Sequence, residues 1–101
     1  MDSVRVQSDQ ELSAALSRGR VYLGRRTVTG TTVGPYSWKD LTTPANPGFP
    51  KDACGVSITY NGFYRAYVKV LTTYGDVSEI FCDYSAMGVV CPLGWQAVVR
   101  P

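Results

Sequence analysis

Between Cys54 and Tyr84 the chain runs through three stretches of alternating apolar and polar residues, separated by two turn signals. That pattern admits little other than an antiparallel meander. Val56, Ile58 and Tyr60 alternate, and Asn61-Gly62 follows. This dipeptide favours the type I′ turn, whose positive φ angles match the twist of the strands on either side. Phe63 opens a second run that continues to Tyr74. There Tyr64, Ala66, Val68, Val70 and Tyr74 share one face, the expected core face, while Phe63, Arg65, Tyr67, Lys69, Leu71 and Thr73 share the other. Gly75-Asp76 supplies the second turn, and Val77 to Tyr84 a third strand in which Ile80, Cys82 and Tyr84 alternate with Glu79, Phe81 and Asp83. Further turns at 85–88 and 92–94 flank Val89-Val90, and residues 95–99 read as a last strand with Trp95 as a core or interface anchor. No internal repeat is evident.

The first half is less uniform. Ser8-Asp9-Gln10-Glu11 has the spacing of a capping box. Leu12, Ala15 and Leu16 then fall on one helical face, and Gly19 is a stop, so the spacing predicts one short helix over 9–18. Val21, Leu23 and Thr27-Val28-Thr29 fit two short strands or one bent strand. From Gly34 to Asp52, Pro35, Pro44, Pro47, Pro50 and Gly48 predict a long extended loop, because each proline removes a ladder donor and fixes its own φ. Tyr36, Trp38, Leu41 and Phe49 can anchor that loop to a core. A chain of 101 residues supplies one core. The expectation is therefore a single domain over 1–101, mainly β, a small antiparallel sheet or a sandwich or barrel-like arrangement with one short N-terminal helix.

Apolar residues make up 45% and charged residues 18%, which excludes a disordered chain. No stretch of 18 apolar residues exists and the N-terminus lacks the pattern of a signal peptide, so neither membrane insertion nor a secretion signal is expected. With no histidine in the sequence, the commonest general base near neutral pH is missing and a Ser-His-Asp or Cys-His nucleophile cannot be built. Glu79 and Asp83 project from one strand face as ordinary surface carboxylates. The glycines from Gly19 to Gly34 match neither a Walker loop nor a dinucleotide fingerprint. No enzyme activity, cofactor or metal site is expected. Cys54, Cys82 and Cys91 lack metal-ligand spacing and read as buried structural thiols, although a Cys82–Cys91 bridge across a turn is geometrically conceivable.

The net charge of +2 sits wholly in the first 26 residues, where five arginines face Asp2, Asp9 and Glu11. Arg18, Arg20, Arg25 and Arg26, with Tyr22 nearby, could neutralise phosphate while aromatic rings stack on bases. Four arginines on a helix end and turn are equally ordinary surface chemistry. The longest and most aromatic loop is the proline-rich one, so Tyr36 and Trp38 form the foremost candidate contact surface.

Asp40-Leu41-Thr42-Thr43, Pro47-Gly48-Phe49, Gly55-Val56-Ser57-Ile58-Thr59-Tyr60, the strand from Tyr64 to Tyr74, Val77 to Cys82, and Gly94-Trp95-Gln96-Ala97 occur in an order that resembles the distal knob of phage tail fibres and R-type pyocin fibres. The resemblance covers about residues 40–100. It implies a non-enzymatic virion component, assembled in the host cytoplasm, homo-trimeric at a fibre tip. Its partners would be other virion proteins or a host receptor, glycan or protein. The other readings are a small phage-encoded inhibitor of a host defence protein, touching its target through the arginine-rich first quarter, and a nucleic-acid-binding module.

Overall fold

The computed structural model describes residues 1–7, 10–29, 32–43, 49–50, 52–62, 64–85 and 88–98. They build two five-stranded antiparallel sheets. The first contains β1 (Asp2–Gln7), β2 (Gln10–Ser17), β3 (Arg20–Thr29), β4 (Thr32–Val33) and β5 (Ser37–Asp40). The second contains β6 (Ala53–Tyr60), β7 (Arg65–Thr72), β8 (Val77–Ser85), β9 (Gly88–Val90) and β10 (Gln96–Val98). Inward side chains of both sheets meet in one apolar cluster. Val6, Leu12, Ala14, Val21, Leu23 and Leu41 come from the first half, and Ile58, Val68, Val70, Ile80, Tyr84 and Trp95 are among those from the second. Each fully buried Leu, Ile or Val contributes roughly 1.5–3 kcal/mol of transfer free energy. Edge strands β1 and β6 meet at one side, where the Asp2 carboxylate accepts a hydrogen bond of 3.0 Å from the Ile58 N–H. A charged side chain on a sheet edge also discourages pairing with a further chain.

The two sheets share one topology. Each is a three-stranded meander whose third strand carries two short segments on its far edge. β4 pairs with the end of β3 and β5 with its middle, at Val28↔Val33 and Gly24↔Trp38. In the same way β9 pairs with the end of β8 and β10 with its start, at Tyr84↔Val89 and Gln96↔Glu79. Val33-Gly34-Pro35-Tyr36-Ser37-Trp38 and Val90-Cys91-Pro92-Leu93-Gly94-Trp95 are the matching connections, and both read V-x-P-x-x-W.

The expected meander of the second half is present, with seven register pairs between β7 and β8 from Arg65↔Asp83 to Leu71↔Val77. Ala66, Val68, Val70, Ile80, Cys82 and Tyr84 are buried as the alternation requires. Tyr64 and Tyr74 are exposed instead, because β7 begins at Arg65 and ends at Thr72 and both tyrosines sit in connections. The Asn61-Gly62 connection is longer than two residues: Tyr60 pairs with Ala66, the Asn61 N–H donates to the Arg65 carbonyl, and positive φ falls at Gly62 and Tyr64. Phe63 lies outside the described residues. Thr72–Asp76 closes the second turn, with Gly75 at φ 84°. The last strand starts at Gln96, after Trp95.

The expected helix over 9–18 is instead strand β2 and the turn after it; Asp9, like Ser8, lies outside the described residues. Three causes overturn the helical reading. β2 is paired on both sides, with β1 and β3, so ladder bonds replace the local ones. Leu12 and Ala14 point to the core while Ser13, on the other face, is also fully buried. A strand covered on both faces loses its alternation and imitates helical spacing. Gly19 ends no helix: Ser17 pairs with Arg20, and Arg18 and Gly19 have φ of 52° and 76°, the two positive angles of a type I′ hairpin. β3 is one continuous strand of 10 residues. The 34–52 loop is interrupted by β5, so Trp38 belongs to a strand; residues 44–48 and 51 lie outside the described residues. Leu41 is fully buried and Phe49 packs edge-on to Trp95 at 5.3 Å, as the anchoring expectation has it. The reading of the cysteines as buried thiols is also corrected, since Cys82 and Cys91 form a disulfide between β8 and the residue after β9, while Cys54 is an exposed free thiol.

Candidate binding surface

The register of the first sheet fixes which residues share its outer face. Leu12, Ala14, Val21 and Leu23 point inward, so Ser13, Ala15, Tyr22, Gly24, Arg26, Trp38 and Asp40 point outward. Ser13, Gly24 and Trp38 lie in one row across β2, β3 and β5, and Ser3 of β1 extends it. Small residues in the centre of that row leave room for a ring. Trp38 fills it: a Cβ at Gly24 would stand 2.5 Å from its Cζ3 and 2.6 Å from its Cε3, so the indole lies directly on the glycine backbone. A glycine inside a strand often marks such a close approach.

Tyr36 stacks on Trp38, with centroids 4.6 Å apart and planes 29° from parallel. The guanidinium of Arg26 lies over the other part of this stack, 4.5 Å from the Tyr36 centroid. The Tyr36 hydroxyl donates to Glu11 Oε1 at 2.9 Å, and the same oxygen takes Arg26 Nη2 at 2.7 Å. Having given its proton to the carboxylate, the phenol oxygen accepts from Ser13 Oγ at 2.7 Å, and Ser13 in turn accepts from Ser3 Oγ at 2.6 Å. The buried Ser13 hydroxyl is thereby satisfied on both counts. Tyr36 is consequently a pinned support. Trp38 is the ring that it presents, 43% exposed.

Beside the indole opens a groove of about 470 Å³ lined by Ala15, Ser17, Arg18, Tyr22 and Trp38. That volume lies within the range of ligand clefts, about 300–1,000 Å³. At its border Arg20 Nη1 meets Asp40 Oδ2 at 2.8 Å, with Asp40 directly opposite Tyr22 across the ladder. Burial pushes the Asp40 carboxyl up, but hydrogen bonds from the Thr42 hydroxyl and N–H and from Arg20 outweigh it and hold the group below its ordinary value. Arg18, the Tyr22 phenol and an open indole face thus line one groove, with the Arg20–Asp40 pair on the same sheet face.

The four arginines do not act together. Arg18 borders the groove, Arg20 is paired with Asp40, Arg26 is paired with Glu11, and Arg25 points to the opposite face of the sheet, where it donates to the Ser85 carbonyl. A continuous basic track for a phosphate backbone is not what they form. Glu79 and Asp83, on the second sheet, are paired with Lys69 and Arg65. No group of three or more metal-ligating side chains occurs among the described residues. Likewise no helix there is long and apolar enough to cross a membrane.

The sequence singled out Trp38, Tyr36 and Arg18 and named Tyr22 beside the arginines, but missed Gly24, on which the indole is seated, and Asp40, the ladder partner of Tyr22. Gly24 was the available signal, as a glycine in the middle of an otherwise strand-like run. Comparison with protein-family models, with curated proteins and with solved structures finds no match.

Proposed function

We propose that this domain is a non-enzymatic recognition module of a phage virion, tail-fibre-like or another virion component, and that it holds a host-surface glycan on Trp38. The observation that carries the reading is the indole itself, exposed yet seated on Gly24 and backed by a hydrogen-bonded tyrosine. The C–H face of a pyranose matches the negative face of such a ring, and a ring already immobilised loses little entropy on binding. Tyr22 and Arg18 supply a hydroxyl and a charged donor beside it. The Cys82–Cys91 disulfide fits an oxidising setting such as a virion surface better than a reducing cytosol. The knob resemblance over residues 40–100 supplies the virion and a homo-trimeric state.

Trp38→Ala tests the reading. Attachment of the purified protein to host cells is expected to be lost with the fold retained, because Trp38 contributes nothing to the core. A folded Trp38→Ala protein that still attaches would overturn it. Sedimentation addresses the assembly: a stable trimer supports the fibre tip, whereas a monomer that captures a host protein favours the inhibitor.

A further inference from the structure

We propose that a second cleft, on the opposite side of β5 from the groove, takes one anionic group, a carboxylate or a sulfate, so that the preferred ligand is an acidic oligosaccharide. The inference rests on the glycan reading of Trp38. The cleft, about 330 Å³, opens where β5 faces β9; Leu23, Trp38, Gly88 and Val89 line it together with Arg25, Ser37 and Lys39, so Trp38 borders both the cleft and the groove. Arg25 pairs with Ser37 and Leu23 with Lys39 across the β3–β5 ladder. Leu23 is buried in the core, so all four residues belong to the inward face, and two cations stand in neighbouring rows.

No carboxylate lines this cleft among the described residues, in contrast to Arg20, Arg26, Arg65 and Lys69, each of which has its own Asp or Glu. Arg25 is tied at Nη1 by the Ser85 carbonyl, which orients the guanidinium without neutralising it. A guanidinium has five N–H donors, so several remain for a ligand, and Ser37 adds a hydroxyl. Two unneutralised cations in a partly enclosed space attract an anion more strongly than the same charges on open surface.

Alternation along β5 connects the two sites. Ser37 and Lys39 face the cleft and Trp38, between them, faces the groove. Among the described residues β5 pairs with β3 alone, and no strand is paired to its other edge. A saccharide with one ring on Trp38 can pass round this edge and place an acidic substituent against Lys39 and Arg25.

The test is calorimetric titration, at low salt, of three tetrasaccharides: neutral chitotetraose, hyaluronan with carboxylates alone, and chondroitin sulfate with both acids. The acidic ligands are expected to bind about tenfold tighter than chitotetraose, the effect of one charge-assisted hydrogen bond. Lys39→Met should remove most of that preference while leaving chitotetraose binding unchanged. Comparing hyaluronan with chondroitin sulfate distinguishes carboxylate from sulfate as the source of the anion. Equal binding of neutral and acidic sugars would overturn the cleft and leave the Trp38 platform standing. Acidic binding that survives Trp38→Ala would keep the cleft and refute the platform. A single-stranded oligonucleotide that binds tighter than any saccharide, with steep salt dependence, would overturn the saccharide assignment altogether.

Discussion

A methyl group at Gly24 is the sharpest perturbation that the platform allows. Its Cβ would lie 2.5 Å from Trp38 Cζ3, 2.6 Å from Cε3 and 2.9 Å from Tyr36 Cδ1. Carbon atoms in contact sit at about 3.5–4.0 Å, so the indole must retreat by about 1 Å. Tyr36 cannot follow freely, since its hydroxyl is held by both Glu11 and Ser13. Overpacking of this kind costs about 1–3 kcal/mol, and loss of an aromatic stack about 0.5–1.5 kcal/mol. Against this, alanine recovers about 0.5–1 kcal/mol of glycine's conformational entropy. The balance is a destabilisation of about 2 kcal/mol, which lowers the Tm of a domain of this size by roughly 10 °C. Thermal melts followed by far-UV circular dichroism measure it. A double-mutant cycle isolates the cause: in a Trp38→Ala background the methyl has no indole to displace, so most of the cost of Gly24→Ala should vanish. If Gly24→Ala melts like the parent protein, or costs the same with and without Trp38, the seating of the ring on the glycine is refuted.

Trp95→Ala should cost about 3–5 kcal/mol, because the ring is buried and its Nε1 donates to the Leu41 carbonyl at 2.9 Å; a variant with an unchanged denaturant midpoint would contradict its role as anchor. Replacing Cys82 and Cys91 together by serine opens a loop of separation 9 and should cost about 2.5 kcal/mol on loop entropy, read as a lower Tm that reducing agent does not lower further. Asp40 has a folded pKa below its ordinary 3.8, so the stability it contributes is present above that value and lost as the pH falls through the folded pKa. Asp40→Asn should therefore flatten the acid limb of a stability–pH curve below about pH 4, and an unchanged limb would remove Asp40 from the account.

The second half of the fold was legible because its strands are covered on one face and solvated on the other. Val68, Val70, Ile80 and Cys82 alternate with Lys69, Glu79 and Phe81, and period two survives into the sequence. β2 was illegible for the opposite reason. Ser13 and Ala15 face a surface partly roofed by Tyr36 and Trp38, so the residues there are small and the run Leu12–Leu16 carries no alternation. Turn chemistry misled in the same way. Asn61-Gly62 has the preferred composition for a type I′ turn, yet among the described residues that geometry falls at Arg18-Gly19, where pairing between Ser17 and Arg20 forces a positive φ on an arginine. Tyr36 and Trp38 could be picked out as aromatic residues beside prolines, but their division of labour could not. It depends on Glu11, Ser13 and Gly24, which reach them only through strand register.

The two V-x-P-x-x-W segments show what that register does. Gln96 pairs with Glu79, which faces outward to Lys69, so Trp95, one residue earlier, points inward to Phe49 and Leu41. Trp38 is itself the partner of an outward residue, Gly24, and points outward. A shift of one residue reverses the face of a strand, so the same motif delivers an anchor in one sheet and a surface ring in the other. The core accounts for Trp95: it fills space, closes on Phe49 and satisfies its N–H. Nothing in the core requires Trp38. Holding it there costs a glycine in the middle of β3, and it engages Tyr36, Glu11, Arg26 and Ser13 in a hydrogen-bonded and stacked support. Such spending of local stability on an exposed side chain is expected where a surface must recognise something, and it is the reason to test the proposed glycan at Trp38 rather than at the second sheet's counterpart.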